Sequence, residues 1–435
     1  MTHRQRILAD RLLGVPVAFL FNGIARVFGR ILRRDHSVNP SNIRHIVVAK
    51  LIGMGSILQA TPLLKALKQK YPEATLTFVT MRANEELVRC LSCVDKVLVL
   101  DDRSILRMAV TTLQTVGTLI WRRADLYFDL EVYSAFASLL ALWAVTRNRI
   151  GFYRHSVAFK NGIYTHLVYF NSRMPVRQLY LQLGRVAGVP PNQSEITGPI
   201  RVDNPARSSV QRLLSESPGW RPQDPYIVVN PNASDLLLER RWPADYVVEA
   251  LRQFGCLKYQ VALIGNRGEA PYVQSLFESL PPDVQSHVVN TSGRLRLGEL
   301  IALLEGAACV LTNDTGPMHM AIALRRPTVC LFGPADPEHY GQNLDFVEIL
   351  YSRVFCSPCL YEVDEPPCHG NNFCMQQIHP EQVVQAVSRL VDPDLRGKES
   401  RARYGGIRLP LIADAPDGTP LGVVVRASLK PTGDM

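Results

Sequence analysis

The chain has no uninterrupted apolar run of the roughly 20 residues that a bilayer-spanning helix needs. Its first apolar stretch, Leu12 to Phe21, is short and holds Gly14 and Pro16. No small-residue cleavage site follows, so no cleavable signal peptide is expected. A G-x-x-G-x-x-G dinucleotide loop and a Tyr-x-x-x-Lys pair are both missing, which speaks against an epimerase built on a dinucleotide cofactor. No RNA- or DNA-binding signature is present, and the cations do not gather into one aromatic-laced patch. Nucleic acid is therefore not an expected partner. The nine cysteines are odd in number and five are scattered. That excludes a secreted disulfide framework and points to a reducing compartment.

What is present describes a large globular protein. At 435 residues the chain accommodates two domains and appendages. Hydrophobic residues make up 47% and charged residues 20%, which rules out a disordered chain. Lys and Arg number 48 against 39 acidic residues, a net +9 that suits an anionic partner.

Residues 1–42 read as an amphipathic appendage. Asn22, Arg26, Arg30 and Arg33 recur at helical spacing, while Phe21, Ile24, Val27, Phe28 and Ile31 fall on other faces. A basic helix of this kind lies in a membrane interface or docks on the protein's own surface.

From Ile43 onward, short apolar strands alternate with helices. Ile46–Ala49, Thr75–Thr80, Lys96–Leu100, Leu126–Leu130 and Arg149–Phe152 read as strands of one domain, residues 43–204. Tyr226–Val229, Gln260–Ile264, Ala308–Leu311 and Thr328–Phe332 read as strands of a second, residues 225–393. Near-continuous apolar strands predict an α/β fold with parallel sheets covered on both faces. Ligands then bind past the carboxyl ends of the strands. The segments Gly53-Met54-Gly55-Ser56 and Asp129-Leu130-Glu131 stand at such ends. Residues 394–435 carry Gly, Pro and charge without period and are expected to form a flexible tail.

The segment after Leu311 reads Thr312-Asn313-Asp314-Thr315-Gly316-Pro317-Met318-His319. A strand, an Asx- and Gly-rich turn and a helix form an arrangement that holds phosphate on free amides. Thr315 and Gly316 sit where those donors would be. Pro317 suits a first helical turn, and His319 can donate to a second oxygen. The alternative is an ordinary N-capped helix.

TNDTGPMH followed by LFGPADPEHYG resembles the signature of the ADP-heptose:lipopolysaccharide heptosyltransferases, glycosyltransferase family 9. KLIGMGSILQATPLLKALKQKYPEA and NPNASDLLLERRWPADYVVEAL resemble the same family, and the three stretches occur in its order. The resemblance implies a GT-B type fold, two Rossmann-like domains with parallel sheets facing a cleft. It also implies an inverting mechanism, an ADP-sugar donor and a lipopolysaccharide-core acceptor. The expected place of work is the cytoplasmic, inner face of the inner membrane.

Such a transferase must hold a diphosphate, recognise a nucleoside and deprotonate an acceptor hydroxyl. For the diphosphate, Thr315, Gly316 and a cation are expected. Arg240 stands where the family pattern usually has Lys, and Arg241 is the alternative. Glu269, at a strand end, can accept from both ribose hydroxyls. Asp314 is assigned to the sugar, and Asn232 to the donor side. Gly53 and Gly55 form the acceptor-side loop. The family usually has Asp directly after that G-x-G, and here Ser56 occupies the place. Serine is no base at neutral pH without help. Either catalysis is lost, leaving a binding or scaffold protein, or the carboxylate has moved to the neighbouring strand end. Adjacent strands lie about 5 Å apart, so Glu131 is the expected base and Asp129 the second choice.

No D-x-D pair lies near the donor motif, so no catalytic metal and no cofactor beyond the donor are expected. Cys356, Cys359, Cys368 and Cys374 could hold a structural zinc, but the wide spacing of the second pair favours free or redox-active thiols.

Overall fold

The computed structural model describes residues 10–32, 35–39, 43–191, 193–194, 197–198, 200–233, 238–257, 259–360, 362–363, 366–392 and 423–425. The chain forms two compact units, the first running to Thr197 and the second starting at Gly198. This division lies before the 204–224 boundary expected from composition. The reason is the helix Asn204–Ser215, which packs on the helix Leu297–Gly306. Arg207 pairs with Glu305 at 2.7 Å, and the Ser209 hydroxyl donates to Glu299 at 2.6 Å.

In the first unit six parallel strands form the sheet: β1 (His45–Ala49), β2 (Thr75–Met81), β3 (Lys96–Leu100), β4 (Leu126–Asp129), β5 (Asn148–Tyr153) and β6 (His166–Tyr169). The second unit has β7 (Tyr226–Asn230), β8 (Gln260–Leu263), β9 (Val288–Asn290), β10 (Cys309–Asn313), β11 (Thr328–Phe332) and β12 (Val347–Tyr351), also all parallel. The strand orders are β3-β2-β1-β4-β5-β6 and β9-β8-β7-β10-β11-β12. Each is the doubly wound order of a Rossmann fold. The direction in which successive strands are added therefore reverses between β1 and β4 in one sheet and between β7 and β10 in the other, while the strands stay parallel. A crevice opens at each such point, beyond the carboxyl ends of the two strands.

The central strands are buried on both faces: HIVVA, CVLTN and TVCLF are buried at every position. Of the expected tail 394–435, Val423–Val425 form β13, antiparallel to β6 at the sheet edge. The other tail residues lie outside the described residues.

The N-terminal segment is not a detached appendage. A π-helical turn, Asp10–Gly14, runs into the helix Val15–Leu32. Gly14, Ala18 and Asn22 recur every four residues, so small side chains share one face. That face docks on the first unit. Ala18 and Asn22 are buried, and a methyl group on Gly162 would land 1.7 Å from Asn22 Oδ1. Phe21 meets Trp143 edge to face at 6.1 Å, and Phe19 meets Phe159 at 6.2 Å. Asp10 accepts from the amides of Ala135 and Phe136 at 2.9 and 2.8 Å, satisfying the first turn of the helix Ala135–Trp143. Among the described residues Asp10–Gly29 is the one helix long and apolar enough to cross a membrane. Lateral docking on the sheet unit is the arrangement seen.

Candidate functional site

In the second unit the switch point is floored by polar residues closing apolar strands. Asn230 ends β7 and Asn313 ends β10. The Asn230 amide donates to Thr312 Oγ1 at 3.0 Å and to Thr315 Oγ1 at 2.8 Å. The Asn313 amide donates to the carbonyl of Asn232 at 2.9 Å, and the Asn232 amide to that of Ile264 at 2.9 Å. These side chains tie β7, β8 and β10 together below the loops. Asn232, expected on the donor side, is buried within this network. It fixes the loop rather than presenting a free amide. Gly265 is required beside it: a side chain there would come within 2.9 Å of Asn232 Nδ2.

This network decides what happens at the helix Gly316–Ala323. Thr315 is its N-cap by backbone, yet makes no capping hydrogen bond. Its hydroxyl is turned inward, accepting from Asn230 and donating to the Asn313 carbonyl at 3.2 Å. The amides of Gly316 and Met318 are therefore left without a side-chain cap, and Pro317 has none to offer. Half-buried Thr315 and Gly316 border them, and His319 is buried one turn in.

The two candidate arginines separate. Arg240 donates to the Asp314 carbonyl at 2.9 Å and sits 3.6 Å from its carboxylate. Burial pushes the Asp314 carboxyl above the usual range, against the pull of Arg240. Arg241 instead stacks on Tyr272, 3.9 Å from the ring centroid. Arg240 is thus the cation next to the uncapped helix. Glu269 folds back onto its own loop, accepting from the Asn266 amide at 2.8 Å.

The first unit's switch point carries the Gly53–Gly55 turn. Gly53 has φ +93°, a left-handed conformation that glycine adopts without strain, and it starts the helix Met54–Gln59. Ser56 lies in that helix and shares a hydrogen bond with the Tyr180 hydroxyl. Glu131 reaches across from β4 to the turn, as strand spacing predicts. There it is fully engaged. One carboxylate oxygen accepts from the amides of Leu51 and Ile52 at 2.8 and 3.1 Å, and the other lies 2.8 Å from Lys50 Nζ. Burial raises its pKa, but Lys50 and the two amides outweigh this and hold it below the ordinary range.

Neither expected base stands free: protein groups engage both carboxylates. Glu131 is a clamp on the loop after β1, with its basicity suppressed by the groups it holds. Asp129 is wholly buried. It accepts from the Glu131 amide at 2.9 Å, from Lys160 Nζ at 3.3 Å and from the Tyr164 hydroxyl. Burial drives its pKa up despite Lys160. All of its recorded partners are groups of the protein itself. Lys50, Lys160 and Tyr164 were not anticipated. A lysine closing the apolar run of β1 is the signal that marks the first of them.

Glu131→Gln tests the clamp. The variant is expected to lose about 3 kcal/mol at neutral pH, the cost of orphaning a buried ion-pair partner. Because the folded pKa is depressed, the lost contribution is present above the ordinary glutamate pKa and fades as pH falls through the folded value. Urea melts of both proteins should therefore converge in acid. Activity falling at neutral pH with unchanged melting would return Glu131 to the role of base.

Among the described residues no three His, Cys, Asp or Glu side chains converge as a metal-holding group. Burial pushes the Cys374 thiol up to about 12 and raises Cys359 as well. Both are free thiols, and burial with a raised pKa disfavours the reactive thiolate.

Two parallel-sheet units, each with polar loops at its switch point, define the GT-B class of fold. A family model for glycosyltransferase family 9 (heptosyltransferase) matches residues 122–368, more than half of the chain. The chain belongs to that family. The lipooligosaccharide heptosyltransferase 2 of Haemophilus influenzae is 32% identical over 111 residues, 26% of this chain and 32% of the relative. That match spans about a third of the relative's length. The lipopolysaccharide heptosyltransferase 3 of Escherichia coli is 23% identical over 80% of this chain and 98% of its own. The solved structure of the E. coli ADP-heptose lps heptosyltransferase II aligns with TM-score 0.66 at 19% identity, over 80% of this chain and 98% of that one. A family 9 glycosyl transferase from Veillonella parvula aligns with TM-score 0.68 at 22% identity, covering 82% and 99%.

Proposed function

We propose that the protein is an inverting glycosyltransferase that moves heptose, or a related sugar, from an ADP-sugar to a lipopolysaccharide-core acceptor. The observation that carries this is the uncapped helix Gly316–Ala323 with Arg240 held beside it at the switch point of β7 and β10. The acceptor hydroxyl attacks the anomeric carbon in line, the bond from that carbon to the ADP diphosphate breaks, and the hydroxyl's proton passes to solvent as the new glycosidic bond forms. Gly316 and Met318 amides and the Arg240 guanidinium receive the charge that grows on the leaving group. In this reading Asp314 addresses the sugar and Glu269 the ribose. In this reading the same amides and the one guanidinium take the place of a divalent metal, and no other cofactor is called for. Cys356, Cys359, Cys368 and Cys374 act as packing thiols, a point that metal analysis of the purified protein checks. The relatives are named lipooligosaccharide and lipopolysaccharide heptosyltransferases, which supports a role in lipopolysaccharide assembly. The docked apolar helix Val15–Leu32 suits a peripheral protein on the cytoplasmic face of the inner membrane.

Thermal-shift screening against nucleotide sugars tests the donor. At a free concentration 100 times Kd, an ADP-sugar adds about 2.7 kcal/mol to the stability of the unit that binds it. ADP-sugars should raise the melting temperature, and UDP- or GDP-sugars should not. Uniform shifts across the panel would refute an ADP donor.

Ser56 in the usual place of Asp, with Asp129 and Glu131 both engaged, favours one second reading: a donor-binding protein without turnover. Release of ADP from ADP-heptose in the presence of acceptor separates the two.

A further inference from the structure

The helix Ile105–Arg122 is turned inside out. Its buried face carries Thr112, Thr115 and Leu119. Its outward face carries Leu106, Val110, Leu113, Gly117, Ile120 and Trp121, spaced i, i+4, i+7, i+11, i+14 and i+15. That spacing forms a single stripe. The inward Thr112 satisfies itself locally, its Oγ1 donating to the Met108 carbonyl at 2.6 Å. In water the stripe faces the wrong way, for Leu113 is 72% exposed and Trp121 81%.

The N-terminal helix repeats the pattern. Leu13, Val17, Leu20, Ile24, Phe28 and Ile31 are exposed in one stripe at the same periodicity. The two stripes meet at a shared groove of about 680 Å³, lined by Ile24 and Phe28 from one helix and Leu113 and Val116 from the other. Leu142 and Trp143 also line it, as do Arg147 and Arg149. Charge on the two helices is of one sign. Neither Val15–Leu32 nor Ile105–Arg122 contains an acidic residue, whereas Arg26, Arg30, Arg107 and Arg122 lie within them and Arg123 follows.

We propose that this two-helix face is a membrane-docking platform for an anionic phospholipid bilayer. Both stripes enter the interface, and an acyl chain occupies the groove between them. Paired apolar stripes bury hydrocarbon area at the headgroup boundary, and the arginines meet lipid phosphates. A tryptophan at the end of a stripe suits that boundary, with an apolar ring and a polar N–H. A second copy of the chain is the poorer occupant, because it would set like charges against each other. The proposal extends the reading of a lipid-anchored acceptor. Vesicle binding needs no turnover, so either idea can fail while the other stands.

The test uses the full-length protein and co-sedimentation with vesicles of phosphatidylethanolamine and phosphatidylglycerol, against pure phosphatidylcholine. Binding should favour the anionic vesicles and weaken with salt. Leu113→Glu combined with Ile120→Glu should weaken it by roughly tenfold or more. The same variant should keep its thermal shift with ADP-sugar, showing that the fold is intact. Trp121 emission should shift to the blue on vesicles and be quenched by brominated acyl chains, and the difference should vanish in Trp121→Phe. Unchanged vesicle binding in the double variant, or Trp121 emission that does not respond, overturns the proposal. So does light scattering that shows the double variant only splitting a dimer.

Discussion

Replacing Arg240 by Ala should reduce transfer on the order of a thousandfold, the loss expected when one preorganised donor to a developing oxyanion is removed. The substitution acts twice. It removes the guanidinium beside the uncapped amides of Gly316 and Met318, and it strips Asp314 of its neutralising partner. An orphaned buried carboxylate costs about 3 kcal/mol, which is roughly 6–12 °C of melting temperature in a unit of this size. The folded pKa of Asp314 is already raised by burial. Its stability contribution is therefore present below the unfolded pKa and lost as pH rises through the folded value. Without Arg240 the melting deficit should be largest at neutral pH and smallest in acid. Arg240→Lys should recover part of the activity, since a point charge replaces the fork. A full-rate Arg240→Ala enzyme would shift the diphosphate role elsewhere, with Arg241 next in line.

The second large effect belongs to Lys160. Lys160 and Asp129 are both wholly buried, 3.3 Å apart, and Lys160 also donates to the Glu131 carbonyl. Lys160→Met should destabilise the first unit by about 3–5 kcal/mol, because Asp129 is left charged in the interior or must take up a proton. The companion variant Lys160→Met/Asp129→Asn keeps an acceptor for the Glu131 amide and turns an amide N–H toward the Tyr164 hydroxyl, which can accept it, while removing the charge. It should recover most of the loss. Calorimetry of the single and double variants provides the measurement. Equal deficits in both would mean that packing volume, and not charge, is what Lys160 supplies.

The parallel-sheet architecture was legible because buried strands such as HIVVA, YIVVN and TVCLF are nearly unbroken apolar runs. The missed strands were the marginal ones. β6 (HLVY) is exposed at Tyr169, β12 (VEILY) is half-buried throughout, and β9 has three residues. Edge positions lack the two-sided burial that writes an apolar run. The phosphate-type turn at Thr315 could be read from local pattern. Its uncapped state could not, since that depends on Asn230, 85 residues earlier, drawing the hydroxyl inward. Glu131 was placed at the correct strand end by the same cross-strand spacing. What the spacing omits is that Lys50 and the amides after β1 arrive there too, turning a candidate base into a fastening. The helix Ile105–Arg122 puts Thr112 and Thr115 inward and Leu106 and Leu113 outward, the reverse of what apolar periodicity alone would suggest. The docking seam of the N-terminal helix was readable in principle, since Gly14, Ala18 and Asn22 stand four apart.

The two sheets each close over a separate set of interior side chains, one gathered around Ala49 and Tyr127 and the other around Val229 and Leu311. Damage is consequently compartmentalised. A lesion among the carboxylates and lysines of the amino-terminal half is expected to weaken the interior of that half, whereas nucleotide ligation acts on the interior of the other.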